Sequence, residues 1–509
     1  MGTFEIMLAA AKNAASYLLV FIHRVTFHPL RRYPGPPLAK VSDLYGGFHA
    51  VLKQLHLTTF LDHQRYGPVM RHGPNKLVFN SIEALHVAKS HVYLLTISGG
   101  NPSILNIIDK QQHRSRRRLI GQAINDKAMR DFEPTLMEQI NVFLKQLSRS
   151  AETSEPLEMT DLAKRLGLDV AGHLAFGFAL NTQIDASYRF LSDGIAISAY
   201  RSNCYMQFPF LKRLGIHYLM LVASLGQRIR YTRTLRHMIR TRLSEDKHAR
   251  HDLYSVVAEH LDRPSGGITP DQLWSEALFL IPAGGETTST SIVATFFYLS
   301  RYPDAYQRLA EEVRGVFSDG TEIRNGPKLA ACRYLRASLD EALRMSPPVP
   351  GTPWREQFPD EQKCGPLVID GHVIPPGTQV GVSIYSLHHN EKYFEESFVF
   401  RPERWLIQDK DKLALMRSAF CPFSLGTRGC AGKAVAYLEM SLVVAKTLWY
   451  FDFHRAPGKI GEVGAGAPQK GEARRRPGEF QLYDSLAATH RGPNLVFRPR
   501  GSLYKEIQV

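Results

Sequence analysis

The sequence predicts a mainly α-helical protein with a small β region, preceded by an N-terminal helix suited to a membrane. Three observations carry this. Apolar residues recur at helical spacing through Leu162–Phe176 and again at Leu235, Met238, Ile239 and Leu243. Thr269-Pro270-Asp271-Gln272 opens a long apolar run that Tyr302-Pro303 ends. Strand signals are short and few, the clearest being two alternating runs around a Gly-Pro-Asn turn within residues 66–79. With 44% hydrophobic and 22% charged residues over 509 positions, the composition is globular, which excludes disorder and a polytopic membrane protein.

Phe4 to Ile22 is long enough to cross a bilayer. Glu5, Lys12, Ser16 and His23 fall on one narrow helical stripe, which a tilted span or an interfacial helix accommodates. No basic segment precedes the run, so a cleaved secretory signal is disfavoured. His23, Arg24, Arg31 and Arg32 follow it, which argues that the bulk of the chain stays cytoplasmic. We therefore expect an anchor over 1–24 and a hinge over 25–40, stiffened by Tyr33-Pro34-Gly35-Pro36-Pro37, then one globular body over 41–509.

The net charge of +15 points to an acidic partner or an anionic membrane surface. No helix-turn-helix, zinc-finger or RNP-like pattern is present, so nucleic acid is not an expected partner. Five scattered cysteines (Cys204, Cys332, Cys364, Cys421 and Cys430) argue against a disulfide framework and for a reducing environment. The basic run His113-Arg114-Ser115-Arg116-Arg117-Arg118 opens a helix on which His113 and Arg117 share one face and Arg114 and Arg118 another.

The long helix from Thr269 breaks the rules of its own class at Pro282-Ala283-Gly284-Gly285-Glu286-Thr287. An internal proline costs about 3 kcal/mol and each glycine about 1. Rule-breaking at a buried position points to function. Ala283 and Gly284 leave room for a ligand against the backbone, Glu286 and Thr287 form an acid–hydroxyl pair able to relay protons, and a kink is expected at Leu278–Pro282. Downstream, Tyr334 to Arg344 reads as a helix carrying Glu341 and Arg344 on one face, and Val380 to Ile384 as a strand.

Phe423-Ser424-Leu425-Gly426-Thr427-Arg428-Gly429-Cys430-Ala431-Gly432 reads F-x-x-G-x-R-x-C-x-G. A cysteine is by default a small buried hydrophobe. Held among glycines, its thiolate suits an axial bond to haem iron, where it favours O–O cleavage. Arg428 then reaches a haem propionate, Phe423 covers the sulfur, and Gly426, Gly429 and Gly432 allow the tight loop and the turn into the apolar helix Ala434–Trp449. Cys421 is expected to carry no ligand. Residues 457–477, with Arg474-Arg475-Arg476, read as a mobile exposed loop, and Glu479–Leu482 and Asn494–Phe497 as strands.

The cysteine loop resembles the haem-binding loop of the cytochrome P-450 family. Gly284-Gly285-Glu286-Thr287-Thr288 resembles that family's oxygen-side helix motif, Glu341 with Arg344 its E-x-x-R, Phe400-Arg401-Pro402-Glu403-Arg404-Trp405 its PERF segment, and His113-x-x-x-Arg117 a variant of its W-x-x-x-R. The motifs run in the family's order over about residues 25–500, and their wording is similar to fungal microsomal members of secondary-metabolite pathways. The resemblance implies the P-450 fold around haem b, with Cys430 as axial ligand to the iron and His113, Arg117 and Arg355 on the propionates. It also implies a Glu341–Arg344–Arg404 network behind the loop and a basic patch at Arg114 and Arg118 for NADPH–cytochrome P-450 reductase, with cytochrome b5 as a second donor. The implied reaction is monooxygenation of a lipophilic small molecule, of terpenoid or polyketide type, at the endoplasmic reticulum membrane with the catalytic domain on the cytoplasmic side. A haem-thiolate isomerase or dehydratase on the same fold is the alternative, and it does not require the Glu286–Thr287 pair.

Overall fold

Helical periodicity becomes ten helices of twelve or more residues in the computed structural model, which describes residues 12, 15–97, 100–213, 215, 225–246, 249–250, 252–258, 268–358 and 365–507. In chain order they are α1 (Leu55–Tyr66), α2 (Lys110–Ala123), α3 (Asp126–Thr153), α4 (Met159–Phe176), α5 (Phe190–Gln207), α6 (Leu225–Ser244), α7 (Pro270–Leu299), α8 (Pro303–Val316), α9 (Arg333–Met345) and α10 (Lys433–Tyr450). The strands are β1 (Val69–Gly73), β2 (Lys76–Phe79), β3 (Leu157–Glu158), β4 (Arg355–Glu356), β5 (Leu367–Ile369), β6 (His372–Ile374), β7 (Gln379–Val382), β8 (Phe451–Arg455) and β9 (Asn494–Pro499). They form a four-stranded sheet in the order β1-β2-β7-β4, a three-stranded sheet β3-β9-β8 and the hairpin β5-β6.

The helix α7 is the axis of the molecule. Its start is the expected capping box: Thr269 Oγ1 accepts the Gln272 N–H at 3.3 Å and Gln272 Oε1 accepts the Thr269 N–H at 3.2 Å. From Gly285 to Leu299 it is buried on almost every side, against α3, α4, α9 and α10. A Cβ on Gly167 of α4 would lie 2.4 Å from the Gly285 carbonyl oxygen, so the two glycines let α4 and α7 touch backbone to backbone. The helix is continuous through Pro282, the residue at which a kink is expected. Proline removes one backbone donor there, and packing against α4 holds the rest.

The sheet β1-β2-β7-β4 places two site residues. Arg355 of β4 pairs with Val380 of β7, and an isolated bridge sets Lys89 opposite Arg355. The segment expected as a free hinge belongs instead to the body: Leu30 and Tyr33 are buried in the core beside this sheet, and the Arg71 N–H donates to the Pro34 carbonyl at 2.7 Å. Most of the expected anchor (residues 1–11, 13 and 14) lies outside the described residues. Among the described residues, no helix is long and apolar enough to cross a membrane.

Two expectations near the C-terminus are corrected. Residues 479–482 make only an isolated bridge, Ala465 with Phe480, rather than a strand. Residues 457–477 form short 3-10 turns, because their arginines find partners: Arg474 donates to Gln481 Oε1 at 3.1 Å and to the Leu482 carbonyl at 3.0 Å, and Arg476 stacks 3.6 Å over the Phe398 ring. Asn494–Pro499 is the expected strand, antiparallel to β8.

Candidate active site

The cysteine loop leaves a turn at Gly426–Arg428 and enters α10 at Lys433. Gly426 has φ +63°, a left-handed conformation that glycine adopts without a side-chain clash. The Gly429 N–H closes the turn on the Gly426 carbonyl at 3.1 Å, and the Cys430 N–H donates to the Phe423 carbonyl at 2.7 Å. From α2, Arg117 clamps the loop, donating to the carbonyls of Gly429 at 2.5 Å and Cys430 at 3.1 Å. Phe423 packs 5.1 Å from the Tyr437 ring.

The Cys430 side chain is exposed to a cavity of about 730 Å³. Burial pushes its thiol pKa up, and the Gly432 N–H, Arg117 and Lys433 pull it back. Another wall of that cavity is the weakened stretch of α7: Ala283, Gly284 and Thr287 all line it. Thr287 Oγ1 donates to the Ala283 carbonyl at 2.7 Å, which leaves its lone pairs free to accept a hydrogen bond.

Glu286 is elsewhere. Successive helical side chains point about 100° apart, so Glu286 is off the cavity wall and turned to α4, where its Oε2 lies 3.4 Å from Lys164 Nζ. Its Oε1 is buried without a partner among the described residues. Burial raises the carboxyl pKa, and Lys164 opposes the shift. The pair read from sequence as one relay thus occupies two faces of α7, with no direct hydrogen bond between the two side chains.

Around the cysteine loop, cations gather with no carboxylate in ion-pair contact among the described residues. His113, Arg117 and Arg428 line the cavity, and with them Lys89, which the sequence did not single out because it belongs to no motif. Arg355 is buried beside them. Arg428 donates to the carbonyls of Ile107 at 2.6 Å and Ile108 at 2.5 Å; Arg355 donates to Ser424 Oγ at 3.3 Å, and its Nε has no partner among the described residues. Lys89 Nζ donates to the Leu105 carbonyl. Among the described residues none of Lys89, Arg117, Arg355 and Arg428 forms an ion pair with a carboxylate. Burial lowers the pKa of Lys89, Arg355 and Arg428; His113 is pushed down to about 4 by burial and by Arg428, Lys89 and Arg117. Buried cations held together are costly unless an anion joins them. A thiol open to a cavity, a glycine-flanked helix wall and a cation rim with an orphaned guanidinium donor together fit a haem, with its two propionates on the rim.

Behind the loop the expected network is assembled. Glu341 Oε1 accepts from Arg404 Nε at 2.8 Å and Arg344 Nη2 at 2.9 Å, and Oε2 accepts from Arg344 Nε at 2.9 Å and Trp405 Nε1 at 3.0 Å. Arg344 also donates to the carbonyls of His388 at 2.8 Å and Ser397 at 2.7 Å. Burial would raise the Glu341 pKa, but the two arginines outweigh it and hold the group below its ordinary value. Cys421 is buried, 3.9 Å from His388 Nε2, and Cys364 lies outside the described residues. Arg114 and Arg118 are exposed on α2, whereas Arg116 turns inward to Glu276 at 2.8 Å.

Sequence reading also missed Glu439, absorbed into an apolar helix; a lone carboxyl in such a run was the available signal. It is buried, lines the same cavity, and its Oε1 has no partner among the described residues. Burial pushes its pKa up from 4.5 to about 8. Across that window the unfolded chain ionises while the native state keeps its proton, so stability falls as pH rises. Glu439→Gln removes this slope. Relative to the native protein it gains on the order of 1–4 kcal/mol at pH 8 compared with pH 5. Urea titrations at the two pH values check this; parallel profiles for native and variant exclude it.

Comparison with known proteins agrees with the geometry. A family model described as Cytochrome P450 matches residues 53–462. The chain is 35% identical to cytochrome P450 monooxygenase AKT7 of Alternaria alternata, over 94% of this chain and 94% of that protein. It is 34% identical to cytochrome P450 monooxygenase poxM of Penicillium oxalicum, over 97% and 95% of the two chains, and 31% identical to cytochrome P450 monooxygenase apf7 of Gibberella fujikuroi, over 95% and 96%. A thiol loop, a helix wall open at Gly284 and full-length relatives of one kind lead to the same conclusion: the chain belongs to the cytochrome P450 family and is a P450 monooxygenase.

Proposed function

We propose that the protein inserts one oxygen atom from O₂ into a lipophilic small molecule of a fungal secondary-metabolite pathway, of terpenoid or polyketide type. The observation that carries the reading is the sharing of one cavity by the Cys430 thiol and the Thr287 hydroxyl. In this reading Cys430 would hold haem b by its iron, His113, Arg117, Arg355, Arg428 and Lys89 would hold its propionates, and Phe423, Gly426 and Gly432 would shape the loop around it. The bound haem supplies reductive activation of O₂, and the balance is R–H, O₂, NADPH and H⁺ to R–OH, H₂O and NADP⁺.

The chain's own residues do the rest. Gly284 and Ala283 keep the wall low enough for substrate to approach. Thr287, with its hydroxyl proton committed to the Ala283 carbonyl, orders water through its lone pairs. Glu286, on the neighbouring face and held in place by Lys164, is the acid that exchanges protons with that water. Electrons come from NADPH through cytochrome P450 reductase docked at Arg114 and Arg118, with cytochrome b5 as a second donor. Residues 1–24 anchor the enzyme in the endoplasmic reticulum membrane with its catalytic domain on the cytoplasmic side. An O₂-independent isomerase or dehydratase has no use for Thr287, so this residue separates the two readings. With reductase, NADPH and isotopically labelled O₂, the product carries one labelled oxygen; unlabelled product formed without NADPH consumption favours the isomerase. Thr287→Ala keeps the haem and loses coupling by about 10-fold, in the range of a lost proton-transfer group, so NADPH is consumed and peroxide released. Unchanged coupling removes Thr287 from the relay.

A further inference from the structure

The cavity holds a second group of cations, and nothing in the haem site uses it. Arg201 of α5 and Arg228 of α6 both line the cavity wall. They lie near enough to repel: burial lowers the Arg201 pKa, Tyr205 opposes this and Arg228 adds to it. The charges that act on Lys89 are Arg355 and Arg428, and those that act on Arg428 are Arg355 and Asp109; neither Arg201 nor Arg228 is among them. Among the described residues Arg201 and Arg228 have no hydrogen bond, ion pair or ring partner.

Three arginines of α6 do have partners. Arg230 stacks 3.8 Å over Phe190, Arg236 lies 5.7 Å over Trp274, and Arg242 is paired with Asp252 at 2.6 Å. The sequence explains why Arg201 and Arg228 are left over. Between Asp193 and Glu245 there is no aspartate or glutamate at all, while the same stretch carries nine arginines and lysines. The chain itself therefore provides no acid within that stretch to neutralise them; Arg201 is half-buried, where an unpaired guanidinium is costly, and Arg228 is exposed on the same cavity wall. The cavity lining they share with Cys430 is mostly apolar and includes Val170, Leu174 and Leu278.

We propose that the substrate is a lipophilic carboxylic acid whose carboxylate docks between Arg201 and Arg228 while its hydrocarbon chain runs along the apolar wall toward Cys430. A planar guanidinium binds a carboxylate through two parallel hydrogen bonds, and two of them give orientation as well as affinity. Anchoring one end places oxidation on carbons remote from the carboxyl group. The proposal rests on the monooxygenase reading and narrows its substrate class.

The test is equilibrium binding to the haem-loaded enzyme, followed by the substrate-induced shift of the Soret band. The probes are saturated acids from octanoic to octadecanoic and their methyl esters. The acids bind about 10- to 100-fold more tightly than the esters of matching length, the range for a charge-assisted hydrogen bond. Arg201→Gln and Arg228→Gln lose that preference while ester affinity holds, and Arg201→Lys restores part of it. Equal affinity for acid and ester, an equal loss of both in Arg201→Gln, or no response to any acid overturns the proposal. So does a loss, in the same variants, of binding to phosphatidylserine vesicles with acid preference intact, which assigns these arginines to the membrane. The reduced carbon-monoxide spectrum separates the two levels. If its thiolate band is absent from the native protein the monooxygenase reading itself fails; if the band is intact and acids gain nothing over esters, only the substrate class fails.

Discussion

Cys430→Ala abolishes the thiolate Soret band of the reduced, carbon-monoxide-bound protein and lowers NADPH-dependent product formation by roughly a thousand-fold or more, the equivalent of ~4 kcal/mol in barrier. The structure adds a second half to this expectation. The side chain opens into the cavity and supports no packing, while the bonds that shape the loop are made by backbone atoms: Phe423 O with Cys430 N, and Arg117 with the carbonyls of Gly429 and Cys430. The apoprotein of the variant therefore melts within about 0.5 kcal/mol of the native apoprotein, as for a change that leaves no buried group unpaired. Spectroscopy and calorimetry on the same preparation check both halves. A native-like band in Cys430→Ala removes the cysteine as iron ligand, and a collapsed apoprotein shows that the thiol is structural.

Glu341→Gln gives the opposite pattern: a large loss of stability from a residue that never touches the cavity. The carboxylate is fully buried and receives five hydrogen bonds, from Arg344 twice, Arg404, Trp405 and the Arg401 backbone. An amide leaves two buried guanidinium groups without their shared anion, which costs about 3–5 kcal/mol. The pH dependence carries a sign. The native Glu341 pKa is depressed below the unfolded value of 4.5, so its stabilisation is present above that value and is lost as pH falls through the native pKa. The gap between native and variant proteins is thus widest near neutrality and closes in acid. Urea unfolding at neutral pH and at pH 4 measures it; a loss under about 1 kcal/mol at neutral pH demotes the network to an ordinary surface pair.

Both expectations rest on residues legible in the sequence, because their information is local. Cys430 stands in a loop whose glycines mark a sharp turn, and Glu341 and Arg344 share a helical face at a spacing of three. Helix starts are legible for the same reason: a capping box is a four-residue object, and Thr269 to Gln272 forms it as expected. Elsewhere local patterns mislead. Arg474 and Arg476 read as solvated charge and instead bond across the chain to Gln481, Leu482 and Phe398. The proline-rich stretch read as a spacer buries Leu30 and Tyr33 in the core. In each case a long-range contact overrides a compositional signal.

What the sequence alone determined is the chemistry: a helix-rich fold, a cysteine presented to a ligand, and a helix weakened where that ligand must approach. Those follow from spacing along a few turns of chain. What only the tertiary structure decided is which charges meet. Lys89 joins the loop arginines through a bridge to Arg355, Glu286 leaves the cavity for Lys164, and Arg201 and Arg228 from two helices line the same cavity. The physical reason is that electrostatic energy depends on distance and burial in space. A charge's partner, or its lack of one, is set by the packing of elements far apart in sequence.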